Sequence, residues 1–330
     1  MVNNQAVTDR YSIYHADNME VLKQVPSNSI HYSISSWPFA SLYTYSNSER
    51  DIGNTRTYDE FADHIEFMIR EQFRTTMPGR CVSVHCMNLP TTKERDGFIG
   101  LRDFRGDVIR WMQKAGFIYH SEVTIWKNPV VAMQRTKALG LLHKQIRKDS
   151  ARSRQGIPDY LVTFRKDGDN PEPVRHFRDD NECFESAKNE CGDYEENITR
   201  IFPVDKWQQY ASPVWVLTGA DNGDGFYTCH QDINPSETLQ RESAREQADE
   251  RHICPLQLEV IRRGIDLWSN PNDIVADWFG GIGSTGYEAM KMGRRTIMTE
   301  LKASYYRQME LNCESALSPV HGDLFDTVVP

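Results

Sequence analysis

The sequence predicts an α/β fold with a Rossmann-like sheet, and three stretches carry that prediction. Residues 274–286 read Ile-Val-Ala-Asp-Trp-Phe-Gly-Gly-Ile-Gly-Ser-Thr-Gly: an apolar run ending in Asp277, a glycine turn and the start of a helical pattern. A second apolar run, 295–298, closes on Glu300. Near the other end of the chain, residues 29–35 read as a strand that runs into Ser36-Trp37-Pro38-Phe39. Open α/β sheets hold their ligands at the carboxyl ends of strands, where these glycines, acids and aromatics fall.

The remaining elements follow in order. Tyr11 to His15 is a short strand, and Met19 to Leu22 gives one or two helical turns, for which Asp17 is a natural cap. Residues 59–74 have helical apolar spacing at Phe61, Ile65, Met68 and Ile69. A turn at Met77-Pro78-Gly79 precedes a strand at Cys81 to His85. A helix over 103–115 places Val108, Trp111 and Met112 on one face, Gly116 ends it, and Phe117 to Trp126 is a strand. Lys144 to Arg154 reads as a helix end and loop, Leu161 to Phe164 as a strand, and 255–268 as a helix. Trp207, Tyr210 and Trp215 read as a satellite core, with base contact as the other option. Residues 165–196, poor in aliphatic side chains, read as an irregular excursion, and 219–225 as a turn.

The glycine turn has a chemical logic. Gly281 and Gly283 suit positions where a ligand presses on the backbone or φ is positive. Ser284 or Thr285 is placed to cap the following helix. An acid at the end of the second strand, here Glu300, is where nucleotide-binding folds grip ribose hydroxyls, so an adenosine-like cofactor is expected. Ser36-Trp37-Pro38-Phe39 reads either as an ordinary turn or as a stiff loop presenting a hydroxyl, a carbonyl and a ring.

Charge is unevenly distributed. The net charge is −9, yet residues 127–178 hold 12 Lys and Arg against 5 Asp and Glu, while 179–250 hold 5 against 17. A basic stretch on an acidic chain is either a solvated face or the footprint of a phosphate-binding surface. Seven cysteines without C-x-x-C spacing support neither a disulfide framework nor a zinc ribbon, so free thiols and no metal are expected. No apolar run is long enough to span a membrane, and Met-Val-Asn-Asn-Gln-Ala lacks signal-segment character, which points to a cytoplasmic protein.

Ser36-Trp37-Pro38-Phe39 resembles the [Asp/Asn/Ser]-Pro-Pro-[Tyr/Phe] motif of amino-specific DNA methyltransferases of bacteria and phages, and Asp277-Trp278-Phe279-Gly280-Gly281-Ile282-Gly283-Ser284 resembles their Asp-Pro-Phe-x-Gly-x-Gly-[Ser/Thr] motif. The similarity extends through 41–46, 51–54, Ile125-Trp126-Lys127, Gln134 to Lys137, Ile157 to Tyr160 and His252 to Pro255. The motif order is that of the family's β arrangement, which implies a methyltransferase sheet with circularly permuted motifs and an inserted irregular target-recognition region. The implied halves are 1–130 (catalytic) and 251–330 (cofactor), flanking an insert at 131–250 that contacts DNA and returns a strand to the core near 160–165. Restriction–modification is the usual setting of such enzymes.

The resemblance implies S-adenosyl-L-methionine as cofactor, duplex DNA as partner, a homodimer as an option, and methylation of a flipped base at cytosine N4 or adenine N6. Serine at position 36 favours cytosine. Ser36, Trp37, Pro38 and Phe39 would form the base pocket, through the Ser36 hydroxyl, the Trp37 carbonyl and the Phe39 ring. Asp17, His252, Pro255, Asp277, Phe279, Gly281, Gly283, Ser284, Thr285 and Glu300 would bind cofactor, Asp17 at the adenine. Arg135, Lys137, Lys144, Lys148, Arg152 and Arg154 would meet DNA. Tryptophan stands where the family has proline, at 37 and 278, so loops less stiff than the family's are expected, with a cofactor- and DNA-binding relative of weak or lost activity as the alternative.

Overall fold

The computed structural model describes residues 2–39, 52, 55, 57–130, 143–175, 177–178, 199–200, 204–217, 233–239 and 256–318. Nine strands form one sheet in the order β1-β2-β13-β12-β3-β4-β8-β7-β11. They are β1 (Asn4–Val7), β2 (Tyr11–His15), β3 (Ile30–Ser36), β4 (Thr76–Met87), β7 (Ile118–Lys127), β8 (Asp159–Arg165), β11 (Val214–Leu217), β12 (Ile274–Asp277) and β13 (Arg295–Glu300), while the two-residue strands β5 (Leu89–Pro90) with β6 (Leu101–Arg102), and β9 (Phe177–Arg178) with β10 (Thr199–Arg200), form separate pairs. The run from β2 through β13, β12 and β3 to β4 is parallel, and β8 pairs antiparallel with both β4 and β7.

Two layers of helix cover the sheet, as an α/β pattern requires. On one face lie the helices Tyr58–Thr75 and Phe104–Lys114. Phe61, Ile65, Met68 and Ile69 of the first and Phe104, Val108 and Met112 of the second bury against Val82 and Val84 of β4. Their starts are fixed locally: Thr57 Oγ1 accepts from Glu60 N–H and Asp103 Oδ1 from Gly106 N–H. On the other face, the helix Leu258–Trp268 buries Val260, Ile261 and Ile265 against Tyr32, Ile34 and Val275. The C-terminal helix Ala303–Leu317 sets Tyr306, Met309 and Cys313 on Tyr11, Ile13 and Met298. Cys81, Cys86 and Cys313 are buried free thiols, and burial pushes Cys81 and Cys313 up to about 12, which leaves them inert.

Three expectations need correction. Met77-Pro78-Gly79 is not a turn: β4 already begins at Thr76, and its pairing with β3 shifts register between Ile30 and Tyr32. Gly79 absorbs the irregularity at φ +72°, donating to Lys166 O at 2.9 Å, and a Cβ there would stand 2.6 Å from the Asn170 side chain. Trp207 is 52% exposed, whereas Tyr210 and Trp215 are buried, each ring 4.9 Å from the Arg263 guanidinium carbon. The helix expected from 255 runs from Leu258.

Beneath the amino ends of the strands, residues 166–175 form a strap. Lys166 Nζ donates to Asn28 Oδ1 and to the Phe73 and Thr76 carbonyls, and Asn270 holds Pro173 O and Arg175 N–H. Glu172 reaches His31, which lies 3.6 Å from Asp273, which in turn pairs with the fully buried Arg80 at 3.1 Å. His31, Glu172 and Asp273 lie close enough to share a metal ion. However, Ile274 N–H donates to His31 Nδ1, which leaves Nε2 carrying the proton, and Arg80 occupies the neighbouring carboxylate. The group is a hydrogen-bonded ion cluster. Removing the carboxylate would strand Arg80 without compensation, so Asp273→Ala is expected to lower the unfolding free energy by about 3–5 kcal/mol, read from urea denaturation.

Candidate active site

Parallel pairing brings distant segments to one edge. β3 and β12 are neighbours, with Val275 opposite Tyr32 and Ala276 opposite Ser33, so Ser36 and Asp277 end side by side. Glu300 pairs with His15 at the end of β2, two residues before Asp17. Cross-links tie these loops together: Asn18 Nδ2 donates to Trp278 O at 3.2 Å, Thr299 Oγ1 to the same carbonyl at 2.8 Å, and Ala16 N–H to Glu300 O at 3.0 Å. Asp17, Ser36 to Phe39, Asp277 to Gly283 and Glu300 therefore share one rim.

Asp277 organises the glycine turn. Its Oδ1 accepts from Phe279 N–H at 3.0 Å and its Oδ2 from Thr285 Oγ1 at 2.7 Å. Burial pushes this carboxyl up to about 6, although those two donors pull the other way. Glu300 Oε2 accepts from Gly281 N–H at 2.9 Å and Oε1 from Lys302 N–H at 2.8 Å, so the second strand's acid braces the turn built on the first. Gly281 has φ +54°, and no atom stands within 4 Å of where a Cβ would project, which makes it an open cradle beside the turn. At Gly283 (φ +87°) a Cβ would stand 2.9 Å from Met309.

Neither Ser284 nor Thr285 caps the helix Ser284–Lys291. Gly283 is the cap residue without a side-chain bond, because the Thr285 hydroxyl is directed to Asp277 instead. Asp17 does cap its helix, accepting from Met19 N–H at 2.9 Å. His252 and Pro255, together with Arg135 and Lys137, lie outside the described residues, as do 41–46, 134–137 and 219–225. Lys144 and Lys148 are exposed on the helix His143–Asp149. Arg152 pairs with Asp149 at 3.2 Å, and Arg154 is half-buried with an Nη1 that has no protein partner.

The two tryptophans that replace proline are buried, at 1% and 2% exposure, in the same apolar cluster as Phe61 and Phe104. Trp37 N–H also donates to His85 O at 3.4 Å. The expected loss of loop stiffness is thus countered by packing, and a proline at 37 would lose both the buried indole and this bond.

A chain of close polar contacts that was not assigned from the sequence runs along the same rim. Ser36 Oγ lies 2.9 Å from His85 Nδ1, His85 Nε2 lies 3.1 Å from Asp159 Oδ2, and Lys127 Nζ contacts that same oxygen. The four residues sit on the consecutive strands β3, β4, β8 and β7. Burial alone would push Asp159 up, but Lys127 and His85 outweigh it and hold the carboxyl below its ordinary value. An ionised Asp159 takes the proton on His85 Nε2, so Nδ1 accepts, and the Ser36 hydroxyl must donate to it. The Ser36 oxygen is then left as an acceptor toward the rim. The Phe39 ring lies edge-on to His85 and Phe104 at 6.5 Å each, walling the same space.

The Asp277 shift has a thermodynamic consequence. With its folded value above the ordinary 3.8, the native state holds more protons between about pH 4 and 6. Stability from this group is therefore present at low pH and lost as pH rises through about 6, by roughly 2–3 kcal/mol. Asp277→Asn should remove that dependence: the difference in unfolding free energy between variant and wild type should grow in the variant's favour from pH 4 to 7. A pH-independent difference would mean that Asp277 titrates normally.

Comparison with known proteins places these features in context. Residues 30–311 match the family model of the N6/N4 DNA methylases. The type II methyltransferase M1.MboII of Moraxella bovis is 44% identical over 57 residues, which span 17% of this chain and 22% of that relative. The fold is shared with the Thermus thermophilus protein TTHA0409, a candidate DNA modification methylase solved with S-adenosyl-L-methionine (TM-score 0.59, 18% identity, 94% and 95% of the two chains). It is also shared with the cytosine-N4-specific PvuII DNA methyltransferase (TM-score 0.57, 16% identity, 94% and 90%). The family match covers most of the chain, including both rim motifs, and the chain belongs to the N6/N4 DNA methylases, a family that uses S-adenosyl-L-methionine to methylate exocyclic amino groups of DNA.

Proposed function

We propose that this chain methylates the exocyclic amino group of a base flipped out of duplex DNA, with cytosine N4 as the favoured target. The observation that carries the reading is the chain from Lys127 through Asp159 and His85 to Ser36, which fixes the Ser36 oxygen as an acceptor beside the glycine turn. S-adenosyl-L-methionine, when bound, supplies an electrophilic methyl group and leaves as a thioether. The open cradle at Gly281 and the carboxylates of Asp277 and Glu300 fit it, as does the bared amino end of the helix at Ser284. Asp17 and Phe279, on the same rim, would flank the adenine, with Gly283 and Thr285 keeping the turn in shape.

The protein's own contribution is alignment and proton management. Ser36 Oγ and the Trp37 carbonyl accept the two amino hydrogens, which directs the nitrogen lone pair at the methyl group, while Phe39 stacks on the base. Methylation leaves the nitrogen positively charged. Its surplus proton passes to Ser36 Oγ as the serine proton passes to His85 Nδ1, and Asp159 stabilises the imidazolium that results. A neutral hydroxyl that can pass on a proton suits the weakly basic exocyclic amino group of either base, and the cytosine preference rests on serine at position 36. On this reading residues 1–130 and 251–330 supply the catalytic and cofactor halves, and 131–250 carries the DNA contacts.

Sequencing that reports modified bases on DNA from cells expressing the chain tests the function directly. N4-methylcytosine at a recurring site is expected, N6-methyladenine would correct the base, and unmodified DNA would overturn the reading. Gly281→Arg meets open space at its Cβ and costs only the left-handed strain of φ +54°, about 1–2 kcal/mol, so it should still fold, yet lose S-adenosyl-L-methionine binding in calorimetry. Asp159→Asn turns the His85 proton around, so turnover should fall a hundredfold or more while cofactor affinity holds. Unchanged turnover would remove the proton chain from the mechanism. For DNA, Lys148→Ala and Arg154→Ala should each weaken duplex binding and lower the salt slope by about one. A slope that stays constant in both would make the basic stretch a solvated face.

A further inference from the structure

The hairpin that leaves β4 beside the catalytic loop turns through the charged helical turn Lys93–Asp96 and returns through an apolar segment. Ser36 pairs with His85, so β4 emerges at the rim next to the Ser36 loop, and two residues past its end Leu89–Pro90 pairs with Leu101–Arg102. The root is buried: Leu89 lies in the apolar cluster that holds Trp37. Beyond it, residues 91–100 are braced from within. Thr91 N–H donates to Gly100 O at 3.0 Å, Asp96 N–H to Thr92 O at 2.8 Å and Gly97 N–H to Lys93 O at 3.1 Å. The Asp96 carboxylate accepts from Thr92 N–H and pairs with Arg102, whose guanidinium lies 4.2 Å over the Tyr58 ring.

The tip reads Gly97-Phe98-Ile99-Gly100. Phe98 is 52% exposed, Leu101 45% and Ile99 84%, which makes Ile99 the most exposed large hydrophobic side chain among the described residues. The Phe98 ring passes beside Gly100, 3.4 Å from where a Cβ on that glycine would stand, an ordinary contact distance. Single exposed apolar residues are ordinary, but two adjacent ones on a braced hairpin, with a third at the start of its paired strand, beside the Ser36 loop are not.

We propose that Phe98 and Ile99 form a wedge that enters the DNA duplex at the step the flipped base vacates. The inference rests on the function proposed above. Flipping requires unstacking, which costs a few kcal/mol, and an inserted aliphatic or aromatic side chain refills the gap so that the neighbouring pairs keep apolar contact. A braced hairpin presents that side chain without an ordering cost at the moment of binding.

The test compares two duplexes that carry the site identified by sequencing, one with the target base correctly paired and one with it mispaired, so that its unstacking is already cheap. The Phe98→Ala/Ile99→Ala double variant should lose at least tenfold in kcat/KM on the paired duplex. On the mispaired duplex it should return to within about threefold of wild type, with unchanged S-adenosyl-L-methionine affinity. Ile99→Asp, at a solvent-facing position that leaves the fold intact, should lose more on the paired duplex than the double variant. Equal losses on both duplexes, or none on the paired one, would overturn the wedge and leave the tip as a general contact or a surface for another protein. A wild type that binds cofactor but methylates neither duplex would overturn the methyltransferase reading, and the wedge with it.

Discussion

The parallel pairing of β3 with β12 is the constraint on which the site depends. Those two strands meet through only two register partners, Val275 with Tyr32 and Ala276 with Ser33. Buried hydrogen bonds reinforce the junction: Ser33 Oγ donates to Ala276 O at 3.1 Å, and Gln72 Nε2 from the covering helix donates to Ser33 Oγ at 3.1 Å. The segments joined lie some 240 residues apart in sequence, so the contact carries a large loop-closure entropy. What it gains is the adjacency of a hydroxyl loop and a glycine turn. Sliding β3 by one residue would turn Ser36 to the opposite face of the sheet.

The rim also sorts charge by depth. Asp277 is buried without a cation, and its carboxyl is pushed up; Asp159 is equally buried but lies against Lys127 and His85 and is held down. The same residue type is thereby set to opposite tasks a few strands apart. An easily protonated Asp277 mainly accepts hydrogen bonds that shape the glycine turn. A firmly ionised Asp159 dictates the His85 tautomer and so the direction of the Ser36 hydroxyl.

Elements set by local chemistry were legible in the sequence. The apolar spacing of 61, 65, 68 and 69, the strand ending in Asp277 and the left-handed Gly116 all appear where their residues predict. The two motifs were legible because each is contiguous. The proton chain was not, because His85 and Asp159 are 74 residues apart and meet only through the antiparallel pairing of β4 with β8, where Met87 faces Asp159 and His85 faces Leu161. A histidine near the end of one strand and an aspartate opening another were the available signals, and neither names its partner. The cap at Ser284 or Thr285 failed for a similar reason: Thr285 prefers the buried Asp277 carboxylate, a tertiary partner that outcompetes the helix's own N–H groups.

The tryptophans at 37 and 278 show how one kind of constraint can stand in for another. Proline restrains a loop through its own ring, independently of the surroundings, but gives up an N–H and little apolar area. Tryptophan restrains nothing by itself, yet each indole here is almost wholly buried, and burial of so large a ring is worth several kcal/mol, less the penalty of an indole N–H buried without a partner in each. The Trp37 N–H is retained and reaches His85 O, so the loop gains a main-chain tie to the strand that carries the histidine of the proton chain. The cost is coupling. A proline loop keeps its shape when the core beneath it changes, whereas this loop's geometry depends on Phe61, Phe104 and the other members of the shared cluster. Under the proposed function, core residues under the rim would thereby shape the reacting geometry without touching a substrate, because a displacement of about 1 Å at the reacting atoms can cost a hundredfold in rate.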